Sequence, residues 1–459
     1  MNTLAGRVPR RKTVPQKSQN SMDFSIFCHL VCKFTKKFAY MQKKVYFCSM
    51  ILNYIWIFLI LLAVLMGLVQ AVAYGNVDIF STILNSTFDS AKTGFELSLG
   101  LTGVLSLWMG IMKIGEQAGA VHTLGKAINP FFSRIFPEVP KGHPVFGSML
   151  MNIAANMLGL DNAATPMGLK AMGELQELNH DKTKASNAMI MFVVLGASGL
   201  TLIPTTIMAY RAQLGAENPA DVFLPILIAT YAATLVGLIS VCIAQKIRMK
   251  DPVVLGTIIG LTALVGLMVW GATLLSPQAL STVSAAVAAI LLLGIICWFI
   301  LQAMSKRINV YDAFIDGAKG GFQTAIGIIP YLIAILVAVG MFRASGAMNL
   351  LENGIAWCFA ACGINPDLAG AVPTALMKPL SGGGARGLML EAMTTHGADS
   401  LVGRLCCILQ GTTDTTFYVL AVYFGSVNIK DTRHAVACCL LADLAGVVTA
   451  FAIAPVFFG

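Results

Sequence analysis

Runs of twenty or more apolar residues recur from residue 51 to the end of the chain, and a run of that length is what a helix needs to cross the hydrocarbon of a bilayer. Nine runs have the length of a full span: about 51–73, 94–114, 186–210, 221–245, 253–275, 279–303, 323–342, 402–425 and 433–457. Charged residues make up only 12% of the 459, against about a quarter in soluble domains, so there is too little charge to build a soluble surface. Two further stretches, 144–178 and 366–396, are apolar but interrupted by Gly, Pro and polar residues. Each is expected to form two half-helices meeting at a break, which a membrane tolerates only where protein or a water-filled cavity covers the freed backbone. The fold class is therefore an all-α polytopic membrane protein with about nine full spans and two broken or re-entrant segments.

The formal charge of +9 does not point to nucleic acid. Residues 1–49 carry ten Lys/Arg against the single acid Asp23, and the rest of the chain is balanced. This basic extension reads either as a cytoplasmic flank of the first span or as the product of an upstream start, since Met50 opens directly into that span. The basic loops 113–141, 246–252 and 304–321 fall on one side, whereas 74–90 holds no Lys or Arg. The positive-inside rule then places the amino terminus and those three loops in the cytoplasm, with the protein in the cytoplasmic (inner) membrane. Eleven cysteines show no disulfide or zinc framework and are expected to be small reduced apolar residues.

One unit occurs twice. Asp89-Ser-Ala-Lys92-Thr-Gly94-Phe95 returns as Asp316-Gly-Ala-Lys319-Gly-Gly321-Phe322, an offset of 227. Gly110-Ile-Met-Lys113 matches Gly340-Met-Phe-Arg343, and Pro166-Met-Gly168-Leu169 matches Ala385-Arg-Gly387-Leu388. Thr201-Leu-Ile-Pro-Thr205-Thr206 matches Thr412-Thr-Asp414-Thr415-Thr416. On the orientation above the first unit starts outside and the second inside, so the two are inverted, with 253–275 and 279–303 as a connecting pair. Inverted repeats with discontinuous helices are a recurrent transporter design, the breaks meeting near the midplane around the solute.

Polar residues concentrate at those breaks. In the first unit they are Asn156, Asp161, Asn162 and Thr165, with Thr165-Pro166 expected to open a half-helix. In the second they are Ser381, Gly382, Gly383 and Arg386, where glycine amides let a ligand approach closely. Gln410, Thr413 and Asp414 lie in an apolar run, and an intramembrane acid faces a cavity, a partner or an ion. Asp414 is the expected ion-coupling residue, and the other ten are expected to bind solute. The competing reading pairs Asp414 with Arg386 or Arg404 as a helix clamp. No pattern commits to a reaction, a cofactor or a bound metal, so no catalytic residue is assigned.

The run Asn156-Met-Leu-Gly-Leu-Asp161-Asn-Ala-Ala-Thr165-Pro-Met-Gly-Leu-Lys-Ala-Met172, with Leu202-Ile-Pro-Thr-Thr206, resembles bacterial spore maturation proteins of type A. Lys378-Pro-Leu-Ser-Gly-Gly-Gly-Ala-Arg386-Gly387 and Gln410-Gly-Thr-Thr-Asp414-Thr-Thr-Phe-Tyr-Val-Leu-Ala-Val-Tyr-Phe-Gly425 resemble those of type B. The chain looks like the two fused, a type A unit at 50–248 and a type B unit at 305–459 joined through 249–304. This resemblance implies the nucleoside-recognition or Gate group, which includes concentrative nucleoside transporters and the membrane part of ferrous-iron transporters. In spore formers such proteins are linked to dehydration of the spore core. The function expected is a multi-pass permease of a small solute, a nucleoside among the candidates, with ion or proton coupling. The alternative is a membrane scaffold or ligand sensor in envelope or spore maturation that moves nothing. The partners expected are the bilayer and the solute, with a homo-oligomer left open.

Overall fold

The computed structural model describes residues 53–458, apart from 141, 158–160, 200, 202, 248–250 and 276. The extension 1–49 lies outside the described residues. All regular structure among them is helical. The first half comprises α1 (Asn53–Tyr74), α2 (Ile79–Ala118), α3 (Ala120–Ile135), α4 (Val145–Met157), α5 (Asp161–Leu178), α6 (Asn187–Ser198), α7 (Thr205–Gln213) and α8 (Phe223–Gln245). After α9 (Pro252–Thr273) the order returns. It runs α10 (Pro277–Ser305), α11 (Val310–Ala344), α12 (Ala347–Ala361), a 3₁₀ turn (Pro366–Ala371), α13 (Val372–Met377), α14 (Gly382–His396), α15 (Leu401–Thr412), α16 (Thr416–Ser426) and α17 (Ala435–Phe458). Eight described helical stretches are long and apolar enough to span a membrane.

The ninth expected span, 186–210, is not one helix. It breaks between α6 and α7, and the span expected at 402–425 breaks between α15 and α16. Apolar length hid both interruptions, because hydropathy counts side chains and a three-residue link of Thr and Asp inside an apolar run barely lowers it. A second correction concerns α5, which starts at Asp161 and carries Pro166 inside it, so Thr165-Pro166 does not open the half-helix. The break of this hairpin precedes Asp161. The proline removes one intrahelical bond near the start of α5, where few are lost. Third, 74–90 is mostly helix, and α11 begins at Val310 within the loop expected at 304–321. At 1.5 Å per residue the 40 residues of α2 reach about 60 Å, twice the hydrocarbon thickness. Apolar length therefore revealed only the buried middle of it.

The long helices α2 and α11 pack antiparallel through small residues. A Cβ on Gly94 would lie 3.3 Å from Ile333 Cα, and one on Gly321 would lie 2.6 Å from Ser106 Cα. Under the offset of 227 these two contacts are images of each other, as are the contacts of Gly340 with Ser90 and of Gly317 with Lys113. Contacts that exchange in this way on antiparallel helices define an inverted two-fold relation. Each long helix ends in a left-handed glycine, Gly119 (φ +79) and Gly346 (φ +75), again separated by the repeat offset. Only glycine takes that conformation without a Cβ penalty, and it turns the chain into α3 or α12. By packing, α10 sits on α2 as α1 sits on α11: Phe299 of α10 covers Gly115, while Trp56 Nε1 of α1 donates to Ala334 O at 2.8 Å. That leaves α9 without a counterpart, an odd span that reverses the second half.

Matched clamps close the two ends. At one end Arg211 of α7, fully buried, pairs with Asp221 and Asp399 at 2.9 Å each, and Arg404 of α15 pairs with Asp221 at 2.8 Å. These pairs tie the loop before α8 to the loop before α15. At the other end Ala185 N donates to Asp431 O at 2.9 Å and Arg433 Nη1 to Asn187 Oδ1 at 2.9 Å, tying the loop before α6 to the loop before α17. The basic loops gather at this second end, where Arg134 pairs with Asp251 at 3.0 Å and Gln302 donates to Thr123 at 3.0 Å.

The helix crossing gives a direct test. Gly321→Val drives a side chain into the α2 backbone and is expected to lower the unfolding midpoint in detergent and the monodisperse yield. Gly327→Ala, where nothing lies within 4 Å, is expected to leave both within about 0.5 kcal/mol of wild type.

Candidate functional site: a polar cavity where two broken helices cross

The links of the two broken spans lie against each other. The α6 helix stops at Ser198, Gly199 turns left-handed (φ +52), and the chain stays non-helical to Pro204. In the second half Thr413 and Thr415 are extended on either side of Asp414. The Asp414 amide donates to Ala197 O at 2.9 Å, and a Cβ on Gly199 would sit 3.1 Å from that same nitrogen. Threonine hydroxyls supply the remaining partners. Thr230 Oγ1 donates to Gly199 O at 2.6 Å, and the Thr415 amide donates to Asp414 Oδ1 at 2.6 Å. The freed backbone of each break is thus covered by the other break, by α8 or by its own side chain, as membrane depth requires.

Both hairpins bring their tips to this crossing. In the second, Ser381 caps α14 by accepting from Gly384 N at 3.1 Å, and Pro379 O accepts from Phe417 N at 3.2 Å. Between the tips and the crossing lies a cavity of about 670 Å³. It is lined by Asn156, Thr165, Ser381, Gly382, Gly383, Arg386, Gln410, Thr413 and Asp414. All nine were singled out from the sequence, from four segments that the chain separates by up to 258 positions. Asp161 and Asn162 are in the first turn of α5, and their side chains lie outside the described residues. Thr201, Thr205 and Thr206 also reach the wall, whereas Ser198 is fully buried and bonds Leu195 O.

Charge in the cavity is not spent on clamps. Asp414 is exposed to it, and among the described residues no cation comes within salt-bridge distance. The clamp reading therefore fails for this residue, because Arg404 is taken by Asp221 and Asp399. Arg386 likewise has no carboxylate in reach among the described residues, and its guanidinium lies 5.9 Å from the Tyr210 ring centre. Lys378 also lines the cavity and donates to Gln410 O at 2.7 Å. Three helix amino termini, those of α7, α14 and α16, open toward this space, and such ends carry partial positive charge.

Three residues with a part here were not among those chosen from sequence. Lys378 was visible in the second break. Tyr423 lines the wall with its hydroxyl 3.0 Å from Asn152 Nδ2 and its ring stacked on Phe192, but an aromatic in an apolar run carries no signal. Asp443 of α17 is 4% exposed and accepts from Thr416 Oγ1 at 2.7 Å. The rule that singled out Asp414, an acid inside an apolar run, applies to it equally.

A family model for the Gate domain, described as nucleoside recognition, matches residues 98–214 and 325–430, which run from α2 into the loop after α7 and from α11 past α16. Spore maturation protein A of Bacillus subtilis is 39% identical over 178 residues, covering 39% of this chain and 87% of its own length. Spore maturation protein B of the same organism is 42% identical over 165 residues, covering 36% of this chain and 91% of its own length. With its paired broken helices and the cavity between them, this chain belongs to the Gate, nucleoside-recognition family of multi-pass membrane proteins, and is similar to both spore maturation proteins.

Proposed function

We propose that the protein is a permease for a small polar solute of about nucleoside size, held at the crossing of the broken helices and accompanied by a cation or proton. The observation that carries this reading is the cavity itself. Its volume falls in the range of small-molecule sites, and it holds an uncompensated acid and an uncompensated guanidinium at membrane depth. Such groups are costly in a bilayer and mark solute or ion paths. The Ser381–Gly383 tip and Arg386 would hold the solute's acceptor atoms, and Asn156, Thr165, Gln410 and Thr413 its hydroxyl and amide groups. Asp414 is the coupling group. The two halves would act as a type A unit and a type B unit in the cytoplasmic membrane, with the end that gathers the basic loops inside.

Purified protein in detergent, screened by thermal unfolding against nucleosides, bases, amino acids, divalent metals and dipicolinate, tests the site. A ligand bound only by the folded state adds about 2.7 kcal/mol at a hundredfold excess over its dissociation constant. The expected result is a shift of several degrees with one chemical class, abolished by Arg386→Ala and by Asp414→Asn. No shift with any compound in folded protein would favour a scaffold. Solute uptake by vesicles that survives Asp414→Asn with unchanged ion dependence would remove Asp414 from the coupling role.

Access is testable without a ligand. A membrane-impermeant thiol reagent is expected to label Gly383→Cys and Asp414→Cys above the background of native thiols. Thr230→Cys, on a residue buried at 0% exposure, is expected to stay unlabelled. Equal labelling of all three would show that the cavity is not a defined water path.

A further inference from the structure

Behind the cavity wall lies a second acid that the solute does not meet. Asp443 sits midway along α17 with 4% of its surface exposed. Oδ2 accepts from Thr416 at the start of α16, whereas Oδ1 is buried and makes no hydrogen bond among the described residues. A carboxylate oxygen kept from water without a donor is costly to leave ionised, and a protonated carboxyl turns that same oxygen into a hydroxyl. The groups that act on it electrostatically from neighbouring segments are Lys378, Asp414, Thr413 and Thr416, together with Cys439 one turn back on its own helix. From α8 only small residues approach this part of α17, Gly237 beside Ala442 and Ala233 beside Gly446.

We propose that Asp443 is the proton-holding group of this site, that it exchanges its proton with cavity water by way of Asp414, and that Lys378 converts its protonation state into affinity for an anionic group of the solute. Lys378 is the link because it faces both ways. It is 7% exposed, lines the cavity, and lies within the electrostatic reach of Asp443. With Asp443 ionised, a negative charge behind the wall offsets the ammonium. When a proton moves from water to the Asp414 carboxylate and on to Asp443 Oδ1, that offset is lost. The cavity then presents the charge of Lys378 beside that of Arg386, which favours an anion. A proton returned to water reverses the change. This assignment rests on the transport reading for its purpose, but the titration of Asp443 is measurable without any solute.

The experiment is infrared difference spectroscopy of the full chain in lipid nanodiscs across a pH series, following the carbonyl stretch of protonated carboxyl groups and its shift in heavy water. The expected result is a band that titrates in wild type, is lost in Asp443→Asn and persists in Asp414→Asn. In Lys378→Met the band is expected to persist at alkaline pH where wild type has lost it, because the charge that compensates the carboxylate is gone. Absence of a titrating band in folded wild-type protein, or a band untouched by Asp443→Asn, overturns the proposal. Should Asp443→Asn fail to fold, Lys378→Met and Thr416→Val decide, and a midpoint unmoved in both overturns it. A band that behaves as expected in a protein that moves no solute would sink the transport reading and leave the proton site standing.

Discussion

A chain that leaves the helical conformation at membrane depth frees amide and carbonyl groups that lipid cannot satisfy, each at a cost of several kcal/mol. The arrangement of this molecule follows from how that cost is offset. Two breaks that cross each other can exchange partners, and the bond from Asp414 N to Ala197 O is such an exchange. Side chains do the rest: Thr230 reaches Gly199 O, Asp414 caps its own link, and Lys378 reaches Gln410 O. The polar residues here are therefore structural and functional at once. They hold a cavity open because they cannot be replaced by apolar groups without orphaning the backbone.

Symmetry places the two breaks together, but sequence makes them unequal. The exchanged contacts of α2 and α11 relate the halves by an inverted two-fold, and each half presents one hairpin tip and one broken helix to the centre. Yet the ionisable groups at the centre, Lys378, Arg386, Asp414 and Asp443, all come from the second half. Among the described side chains the first half contributes amides and hydroxyls, such as Asn156, Thr165, Thr201 and Thr205. One half thus supplies charge and the other neutral polar partners, a division of labour that a duplicated unit reaches by divergence at equivalent positions.

Much of this was legible in the sequence, and what was not has physical causes. Apolar length gave the spans, and polar interruptions gave the hairpin of 366–396, where the glycines and Ser381 stand at the break itself. The first hairpin was misplaced by Thr165-Pro166, a good helix start by type, because proline is also tolerated a turn further in. The breaks at Gly199–Pro204 and Thr413–Thr415 were invisible as breaks, since their residues were read as polar points on continuous helices. Site residues were found because ionisable and amide groups are scarce in an apolar chain. Tyr423 was not, since its role depends on reaching Asn152 from 271 positions away.

The two end clamps are images by topology but differ in chemistry. The end that carries Arg211 and Asp221 is closed by fully buried charges, and separating such a pair leaves an uncompensated ion, at about 3–5 kcal/mol. The end with the basic loops is closed by backbone bonds and by Arg433, whose contacts at Ala185 and Asn187 lie near water. Each of these is worth about 0.5–1.5 kcal/mol. If the halves rock about their crossing, as the inverted relation allows, the two directions are not equally easy. Opening at the ionic end has to strand a buried charge, and opening at the basic end does not. On the transport reading the resting protein therefore favours access from the side of the basic loops. A solute or proton that shifts this balance has to act on α7, α8 or α15, the helices that carry or adjoin the ionic clamp and whose other ends reach the cavity.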